Sequence, residues 1–269
     1  MSEMEIAGYI ASALVGVSLG LIGGGGSILT LPVLVYLFNV NPGLATSYSL
    51  FVVGSTSLAG AWNNYRKGMV SIRTALLFGA ASIATVILTR KFILPLIPEK
   101  IAQVKTFAVT KPLLIMILFA ILMLAASFSM ITGKKKDRAE APLPGKIHLP
   151  VLILNGMGIG IVTGLLGAGG GFLLIPALVL LVKLPMKKAI GTSLLIIALN
   201  SLIGFAGDLG HFNIDWPLLL KITLLAVAGI FAGGALGRKI QGEKLKKGFG
   251  WFVLGMGVYI LVKEFLSGI

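Results

Sequence analysis

The chain contains no cysteine in its 269 residues, so disulfides, thiolate metal sites and cysteine nucleophiles are all excluded. Only two histidines are present, His148 and His211, and both lie in predicted loops, so we expect no buried histidine metal site. Charged residues are also scarce, at 12%, whereas soluble globular proteins contain about 25%. These absences predict a protein without a metal or other cofactor, and they argue against an enzyme.

Hydrophobic residues make up 57% of the chain, and its mean hydropathy is +1.00. Long stretches carry no charge, namely 6–65, 74–89, 112–133, 149–182, 189–207 and 222–237. A membrane-spanning helix needs about 20 mostly apolar residues, whereas the strands of a membrane β-barrel are segments of about ten residues that alternate in polarity. The continuous runs therefore predict a polytopic helical membrane protein.

The net charge of +14 comes from 23 basic and nine acidic residues, which are unevenly distributed. Four loops, at 63–73, 133–148, 183–188 and 238–247, hold 16 of the basic residues. Because loops rich in lysine and arginine stay in the cytoplasm, this predicts a plasma (inner) membrane protein whose two termini both face outward. One stretch, 90–111, disagrees, since it holds five basic residues yet must lie outside. We attribute the basic charge to membrane orientation and anionic lipid, and expect no nucleic acid partner.

Two glycine-rich breaks interrupt apolar runs at matching places, Gly23–Ser27 near the start of the chain and Gly167–Gly171 further on. The surrounding segments align without a gap at an offset of 144 residues. The aligned identities include Gly16 and Gly160, Gly20 and Gly164, Pro32 and Pro176, Ser49 and Ser193, Ser57 and Ser201, and Gly60 and Gly204. Glycines and a proline in one register indicate an internal repeat rather than a chance similarity of apolar composition.

The repeat divides the chain into an N-terminal membrane repeat, 1–132, a basic cytoplasmic linker, 133–148, and a C-terminal membrane repeat, 149–269. The predicted helical segments are 6–22, 28–38, 44–62, 72–90 and 111–132 in the first repeat, and 149–166, 172–182, 189–206, 217–237 and 248–266 in the second. Segments 28–38 and 172–182 would each rise only about 16 Å, roughly half of the hydrocarbon core. Each is therefore either one arm of a re-entrant hairpin or part of a kinked span.

Equivalent loops of the two repeats differ in charge, since 63–73 is basic whereas its counterpart 207–217 carries Asp208 and Asp215. The two repeats are therefore predicted to lie upside down relative to each other. We expect an all-α polytopic membrane protein with two inverted-topology repeats, each containing a broken or re-entrant helical hairpin and three spanning helices. Asp208 and Asp215 are interpreted as loop-capping residues at the outer interface, and no acid or base lies at mid-depth in a predicted helix.

Non-helical backbone at membrane depth must be buried in protein or line a wet cavity, and paired breaks of this kind are typical of transporter binding sites. The short helix after each break begins with free amides and a partial positive charge, which favour an anion. The predicted substrate-binding residues of the two breaks are Gly23, Gly24, Gly25, Gly26, Ser27, Gly167, Gly169, Gly170 and Gly171. Ser27 is also a candidate N-cap, and Pro32 and Pro176 are predicted to act in helix breaking or gating. The alternative is that the glycines only allow close helix packing.

The helix after each break carries hydroxyl and amide side chains. Ser49 and Thr56 are two helical turns apart and share a face, and their counterparts in the second repeat are Ser193 and Asn200. Together with Thr192, these side chains are predicted to complete the coordination of an anion by hydrogen bonding. The alternative is that they bond to the backbone of their own helix or hold helices together.

Residues 20–32 and 164–176 resemble the duplicated signature of the sulfite exporter TauE/SafE family of membrane permeases. Three shorter segments also resemble motifs of that family, namely Ala189–Leu194, Phe212–Trp216 and Gly68–Ile72. The resemblance implies transport of sulfur-containing anions, such as sulfite, thiosulfate, sulfoacetate or other organosulfonates. The first repeat departs from the pattern at Tyr48, which stands where the family usually has threonine.

The sequence therefore predicts a secondary transporter that carries a small sulfur oxyanion or organosulfonate by alternating access between the two repeats. An anion channel that uses the same midplane site is the alternative. A membrane-embedded enzyme is disfavoured because no cysteine, embedded histidine or mid-membrane carboxylate pair is predicted. A subunit that does not transport alone is a further hypothesis, which failure of the purified chain to transport would support. The expected partners are the anionic substrate and membrane lipid.

Overall fold

The structure is a computed structural model that describes residues 3–98, 100–104, 107–132, 149–166, 184–211, 213–237 and 242–267, together with positions 171, 174, 175, 178 and 182. The predictions that lie outside the described residues concern the linker 133–148, most of the short segment 172–182, and Gly167, Gly169, Gly170 and Pro176. The described part of the chain is predominantly helical, which confirms the predicted helical class.

In chain order, the helices are α1 (Glu3–Ile22), α2 (Thr30–Tyr36), α3 (Pro42–Tyr65), α4 (Ile72–Leu88), α5 (Lys111–Thr132), α6 (Leu149–Leu166), α7 (Met186–Ala206), α8 (Trp216–Leu236) and α9 (Gly242–Ser267). A 3₁₀ helix, Gly24–Leu29, lies between α1 and α2 and runs directly into α2. Similarly, α4 continues through a π turn, Thr89–Ile93, and a last α-helical turn, Leu94–Leu96. The helices follow the predicted segments, but this continuation carries α4 beyond its predicted end at residue 90.

A short β-hairpin lies between the end of α4 and the start of α5, where only a loop was predicted. Strand β1 (Lys100–Val104) pairs antiparallel with β2 (Phe107–Thr110), and Val104 lies opposite Phe107. The basic residues of this stretch are typical of a loop, whereas its β-branched and aromatic residues favour a strand. The hairpin departs from the otherwise helical fold.

Two helix starts are fixed by side-chain caps that the sequence displays. The Asn41 side chain accepts a hydrogen bond from the Gly43 amide (2.9 Å) before α3, and Pro42 opens that helix. The Asp215 carboxylate accepts one from the Leu218 amide (3.1 Å) at the start of α8. Such caps satisfy amides that have no partner within the helix. The predicted capping role of Asp215 is thereby confirmed.

Equivalent glycines of the two repeats make equivalent helix contacts. α1 packs along α8, and a Cβ atom added at Gly16 would overlap the carbonyl group of Ala226. α6 packs along α4, and a Cβ atom added at Gly160 would lie 2.5 Å from the carbonyl oxygen of Ser82. Both pairs of positions are related by the 144-residue offset. The same close approach of two helices, which only glycine allows, is therefore built twice.

The equivalent helices α3 and α7 pack against each other. Gly54 of α3 lies against Leu202 of α7, and Gly60 lies against Leu194, so the two helices run in opposite directions. Around this pair, α8 contacts α3 and α4 contacts α7, which are again equivalent pairings, while α5 and α9 pack together. The helices that follow the two glycine breaks thus lie side by side.

The surface of the bundle is apolar while many of its internal contacts are polar. The described helices that are long and apolar enough to cross a membrane are Glu3–Ile22, Ile72–Leu96, Lys187–Ala206 and Trp216–Leu236. Large apolar side chains are exposed, among them Leu14, Leu76, Leu154, Leu224 and Phe265. Hydroxyl side chains are buried between helices, among them Ser12, Ser82, Thr163 and Thr223. This distribution suits a helix bundle surrounded by lipid.

Candidate functional site

The first glycine-rich break is a sharp turn at one residue rather than an unwound loop. Gly23 follows α1 and adopts φ 76° and ψ −132°, a conformation that other residues rarely adopt. The next three glycines, Gly24–Gly26, are already wound into the 3₁₀ helix. Ser27 lies inside this helix, and its hydroxyl donates to the carbonyl oxygen of Gly24 (2.7 Å). The candidate N-cap role of Ser27 is therefore wrong, because the helix begins at Gly24 and Gly23 occupies the capping position.

The rest of the break holds the short helix against its neighbours. A Cβ atom added at Gly26 would lie 2.5 Å from the amide nitrogen of Leu19, so the 3₁₀ helix packs directly on α1. Pro32 is buried in the first turn of α2, a part of a helix in which proline is tolerated. The segment predicted at 28–38 is thus observed as Gly24–Leu29 followed by Thr30–Tyr36.

The two glycine-rich breaks touch each other through their backbones. A Cβ atom added at Gly24 would overlap the backbone of Gly171, and one added at Gly171 would lie 2.6 Å from the carbonyl oxygen of Gly24. These residues belong to different repeats and are far apart in the sequence. The pairing of the two breaks, inferred from an alignment alone, therefore has a direct counterpart in the fold.

Helices α3 and α7 both contact the 3₁₀ helix of the first break. Within α3, Ser49 and Thr56 are fully buried, and neither hydroxyl has a hydrogen-bond partner in the described part of the chain. A buried hydroxyl without a partner costs free energy, so such groups call for water or a ligand. Of the predicted hydroxyl groups, these two therefore have no partner among the described residues, a property that they share with Ser57 and Ser201.

The equivalent side chains of α7 are engaged within the protein. The hydroxyl of Ser193 donates to the carbonyl oxygen of Ile190 (2.9 Å), and this hydroxyl lies 3.4 Å from where a Cβ atom of Gly23 would be. The amide nitrogen of Asn200 donates to the Ser82 hydroxyl (2.6 Å), while its Oδ1 atom has no partner among the described residues. Ser193 thus borders the first break, and Asn200 ties α7 to α4.

Tyr48 and Thr192 occupy equivalent positions and make the same structural contact. The Thr192 hydroxyl accepts a hydrogen bond from the amide of Ser71 (2.9 Å), which precedes α4. The Tyr48 hydroxyl accepts one from the amide of Asp215 (2.6 Å), which precedes α8. Nearby, Trp216 packs edge-on against Phe51, with ring centroids 6.0 Å apart. Tyrosine in place of threonine therefore preserves the anchor for the following helix.

We expect Tyr48→Phe to lower the thermal unfolding midpoint of the detergent-solubilised protein. The substitution leaves the buried ring in place but removes the acceptor of the Asp215 amide, which should cost about 1 kcal/mol. Tyr65→Phe serves as the control, because Tyr65 is exposed on α3. Equal midpoints for the two variants would contradict a structural role for the Tyr48 hydroxyl.

A buried ion pair lies at the end of the bundle where α3 begins and α7 ends. Arg90, in the π turn after α4, pairs with Asp208, which follows α7. The two residues are only 6% and 7% exposed. The guanidinium also donates from Nη1 to the Ser47 hydroxyl (3.3 Å) and from Nη2 to the Thr46 hydroxyl (3.1 Å). The Ser47 hydroxyl in turn donates to Asp208.

A further donor of Arg90 reaches the second repeat, because its Nε atom donates to the carbonyl oxygen of Gly164 (3.1 Å). Gly164 lies three residues before the second glycine-rich break. We call Arg90, Asp208, Ser47, Thr46 and the Gly164 carbonyl the Arg90 cluster. It joins four parts of the bundle at the edge of the paired breaks.

Sequence reasoning missed the Arg90 cluster. The predicted loop-capping role of Asp208 is wrong, because the carboxylate is buried against Arg90. Arg90 was assigned to the end of a helix and counted with an external loop, but α4 continues past it and buries it. The signal was a mismatch between repeats, since the positions equivalent to Arg90 and Asp208 hold Gly234 and Asn64.

The family model described as "Sulfite exporter TauE/SafE" matches residues 9–260. The chain belongs to this family. This TauE/SafE protein is a multi-pass member of a membrane transporter family rather than of an enzyme family.

Similar proteins carry the same kind of name. A "Probable membrane transporter protein" of Xylella fastidiosa (strain 9a5c) is 29% identical over 266 residues, which cover 96% of this TauE/SafE chain and 95% of the relative. The "Probable membrane transporter protein YunE" of Bacillus subtilis is 28% identical over 239 residues, with 82% and 84% of the two chains covered. The "Probable membrane transporter protein YdhB" of the same organism is 25% identical over 220 residues, with 82% and 85% covered. No solved structure matches the chain significantly.

Proposed function

We propose that this TauE/SafE protein is a secondary transporter of small sulfur-containing anions, such as sulfite, thiosulfate or organosulfonates. The family description names a sulfite exporter, and the chemistry of the paired breaks suits an anion. Backbone amides at the start of short helices favour negative charge without a fixed counter-charge. Buried hydroxyl groups beside them would donate hydrogen bonds to the oxygens of the anion.

The observation that carries this proposal is the contact of Gly24 with Gly171, and the partnerless hydroxyls of α3 support it. The two breaks meet between the repeats, and Ser49 and Thr56 each bury a hydroxyl that no described residue satisfies. We assign the substrate to this region, with Gly23, Gly25 and Ser193 at its border. Gly167, Gly169 and Gly170 would contribute the equivalent backbone from the second repeat.

We further propose that the two repeats are inverted and that transport proceeds by alternating access. The opposite directions of α3 and α7 and the duplicated glycine contacts support this arrangement. In the proposed orientation both termini face outward, as the basic loops require. Rocking of the repeats would move the two breaks relative to each other, and we propose that Pro32 and Pro176 act in helix breaking or gating.

The proposal predicts exchange of sulfur anions across a membrane. Liposomes that contain the purified protein and a high internal concentration of unlabelled thiosulfate should accumulate labelled thiosulfate transiently above its external concentration. A carrier gives this counterflow because unlabelled internal thiosulfate competes with the label for the inward-facing site, so that label enters faster than it leaves. A channel only equilibrates the label. Protein-free liposomes with the same gradient are the control.

The same assay separates the proposal from its alternatives. Saturating counterflow with sulfite, thiosulfate or an organosulfonate supports the carrier. Non-saturating flux with large single-channel currents would show an anion channel instead. Absence of flux for every sulfur anion would contradict transport of these substrates by the isolated chain.

A further inference from the structure

The Arg90 cluster places two charged side chains inside the bundle. Removing two charges from water costs several kcal/mol per ion, and ionisable groups inside a membrane protein are therefore usually functional. Both Arg90 and Asp208 are more than nine-tenths buried. The second repeat achieves the equivalent helix packing without them, using Gly234 and Asn64 at the corresponding positions.

Other members of the cluster are equally asymmetric. The positions equivalent to Thr46 and Ser47 hold Ile190 and Gly191, so the second repeat lacks both hydroxyls. At that end, Gly191 instead packs directly on the backbone of Met69. The end of the bundle where α3 begins therefore carries a guanidinium and two hydroxyls, and the equivalent positions at the other end hold none of these groups. A purely structural device would not need to be confined to one end.

The Asp208 carboxylate sits where an external oxyanion would bind. It accepts from the Arg90 guanidinium and from the Ser47 hydroxyl, two donors that suit the oxygens of a sulfur oxyanion equally well. Arginine is adapted to such binding because its planar fork holds two oxygens at once. Through its Nε atom, the same guanidinium is bonded to Gly164 beside the second break.

We propose that Asp208 is an internal stand-in for the substrate, and that an entering oxyanion takes its place on Arg90 and Ser47. This inference rests on the proposed function and adds an anion-binding arginine at one mouth of the pathway. In the closed protein Asp208 occupies Arg90, and the oxyanion must compete with it. Release of Asp208 would free the end of α7 from the start of α3.

Competition makes a specific prediction for the Asp208→Asn protein. Asparagine cannot neutralise the guanidinium, so Arg90 stays available to an anion. If Arg90 is free of Asp208 for about a tenth of the time or less, removal of the carboxylate should raise the apparent affinity for anions about tenfold or more. Thiosulfate should then stabilise Asp208→Asn against thermal unfolding at lower concentration than it stabilises the wild type.

The experiment measures the thermal unfolding midpoint of purified full-length protein against thiosulfate concentration, with chloride at equal ionic strength. The variants are Asp208→Asn, Arg90→Gln/Asp208→Asn and the control Asp215→Asn, which removes an acid at the same end that caps α8. Asp208→Asn should gain anion stabilisation, the neutral double variant should lose that gain, and Asp215→Asn should match the wild type. If Asp208→Asn alone does not fold, the double variant is compared with the wild type instead, and it should show the weaker stabilisation by thiosulfate.

Two results would overturn the inference. One is an Asp208→Asn protein with the thiosulfate dependence of the wild type, and the other is a double variant that keeps the whole gain of Asp208→Asn. Flux in liposomes separates this outcome from failure of the proposed function. Flux through the wild type together with an unresponsive Asp208→Asn protein would support the proposed transport function and contradict the Arg90 site. Strong anion stabilisation of Asp208→Asn without any flux would support the Arg90 site and contradict transport.

Discussion

Gly24→Ala protein should fold and reach the membrane but lose at least nine-tenths of its thiosulfate counterflow. The added methyl group would overlap the backbone of Gly171, so the two breaks must separate at the point where the anion is proposed to bind. Overpacking of a close contact typically costs about 1–3 kcal/mol, which a well-packed bundle tolerates. The geometry of a binding site does not tolerate it, because displacement by about 1 Å is enough to impair function.

A matched glycine elsewhere in the membrane provides the control. A Cβ atom added at Gly79 of α4 would meet no atom within 4 Å, so Gly79→Ala should keep wild-type counterflow. Gly158 of α6 offers the same test in the second repeat. Wild-type counterflow in Gly24→Ala would contradict the placement of the site at the paired breaks. Equal loss in all three variants would show that the defect comes from glycine replacement in general.

Replacing one member of the buried ion pair should strongly destabilise the protein in the absence of anions. Arg90→Met leaves the Asp208 carboxylate buried with only the Ser47 hydroxyl, and a lone buried charge costs about 3–5 kcal/mol. The double variant Arg90→Met/Asp208→Leu removes both charges, and its stability should return close to that of the wild type. The free energy of unfolding is measured on the detergent-solubilised wild type, Arg90→Met and the double variant.

This stability series distinguishes a pair that holds the fold together from one that is kept for function. A stable double variant that does not transport supports a functional pair. A double variant as unstable as Arg90→Met would show that the charges themselves stabilise the bundle. Arg66→Met is a suitable control, because Arg66 lies exposed at the end of α3 and its removal should change stability little.

The repeated glycines made most of the fold predictable. An offset of 144 residues paired Gly16 with Gly160, and the structure places both residues at close helix contacts. Glycine patterns are informative because a missing side chain has one main use in a membrane helix, the close approach of another backbone. Hydropathy then gave the helix positions, since lipid demands long apolar segments.

The details of the site were less predictable because they depend on tertiary contacts. A run of four glycines does not reveal that Gly23 alone makes the turn, since all four can adopt positive φ. Arg90 and Asp208 are more than a hundred residues apart, and each has an ordinary explanation in its own segment. Their pairing follows only from the packing of α4 beside α7. Charge without a counterpart in the other repeat was the one local clue.

The natural absence of cysteine allows a direct test of the paired-break site. Ser49→Cys replaces a buried α3 hydroxyl, which has no hydrogen-bond partner among the described residues, by a single thiol with little change in volume. Its rate of reaction with a charged, membrane-impermeant thiol reagent, added from either side of sealed vesicles, measures access to the site. Lys221→Cys, on the exposed surface of α8, gives the rate for a position remote from the breaks.

The decisive measurement is the effect of thiosulfate on the labelling rate of Ser49→Cys. If the anion binds between the breaks and the repeats alternate, thiosulfate should slow labelling or shift it from one side of the membrane to the other, while Lys221→Cys is unaffected. Labelling of Ser49→Cys that is independent of thiosulfate from both sides would contradict an anion site at the paired glycine breaks.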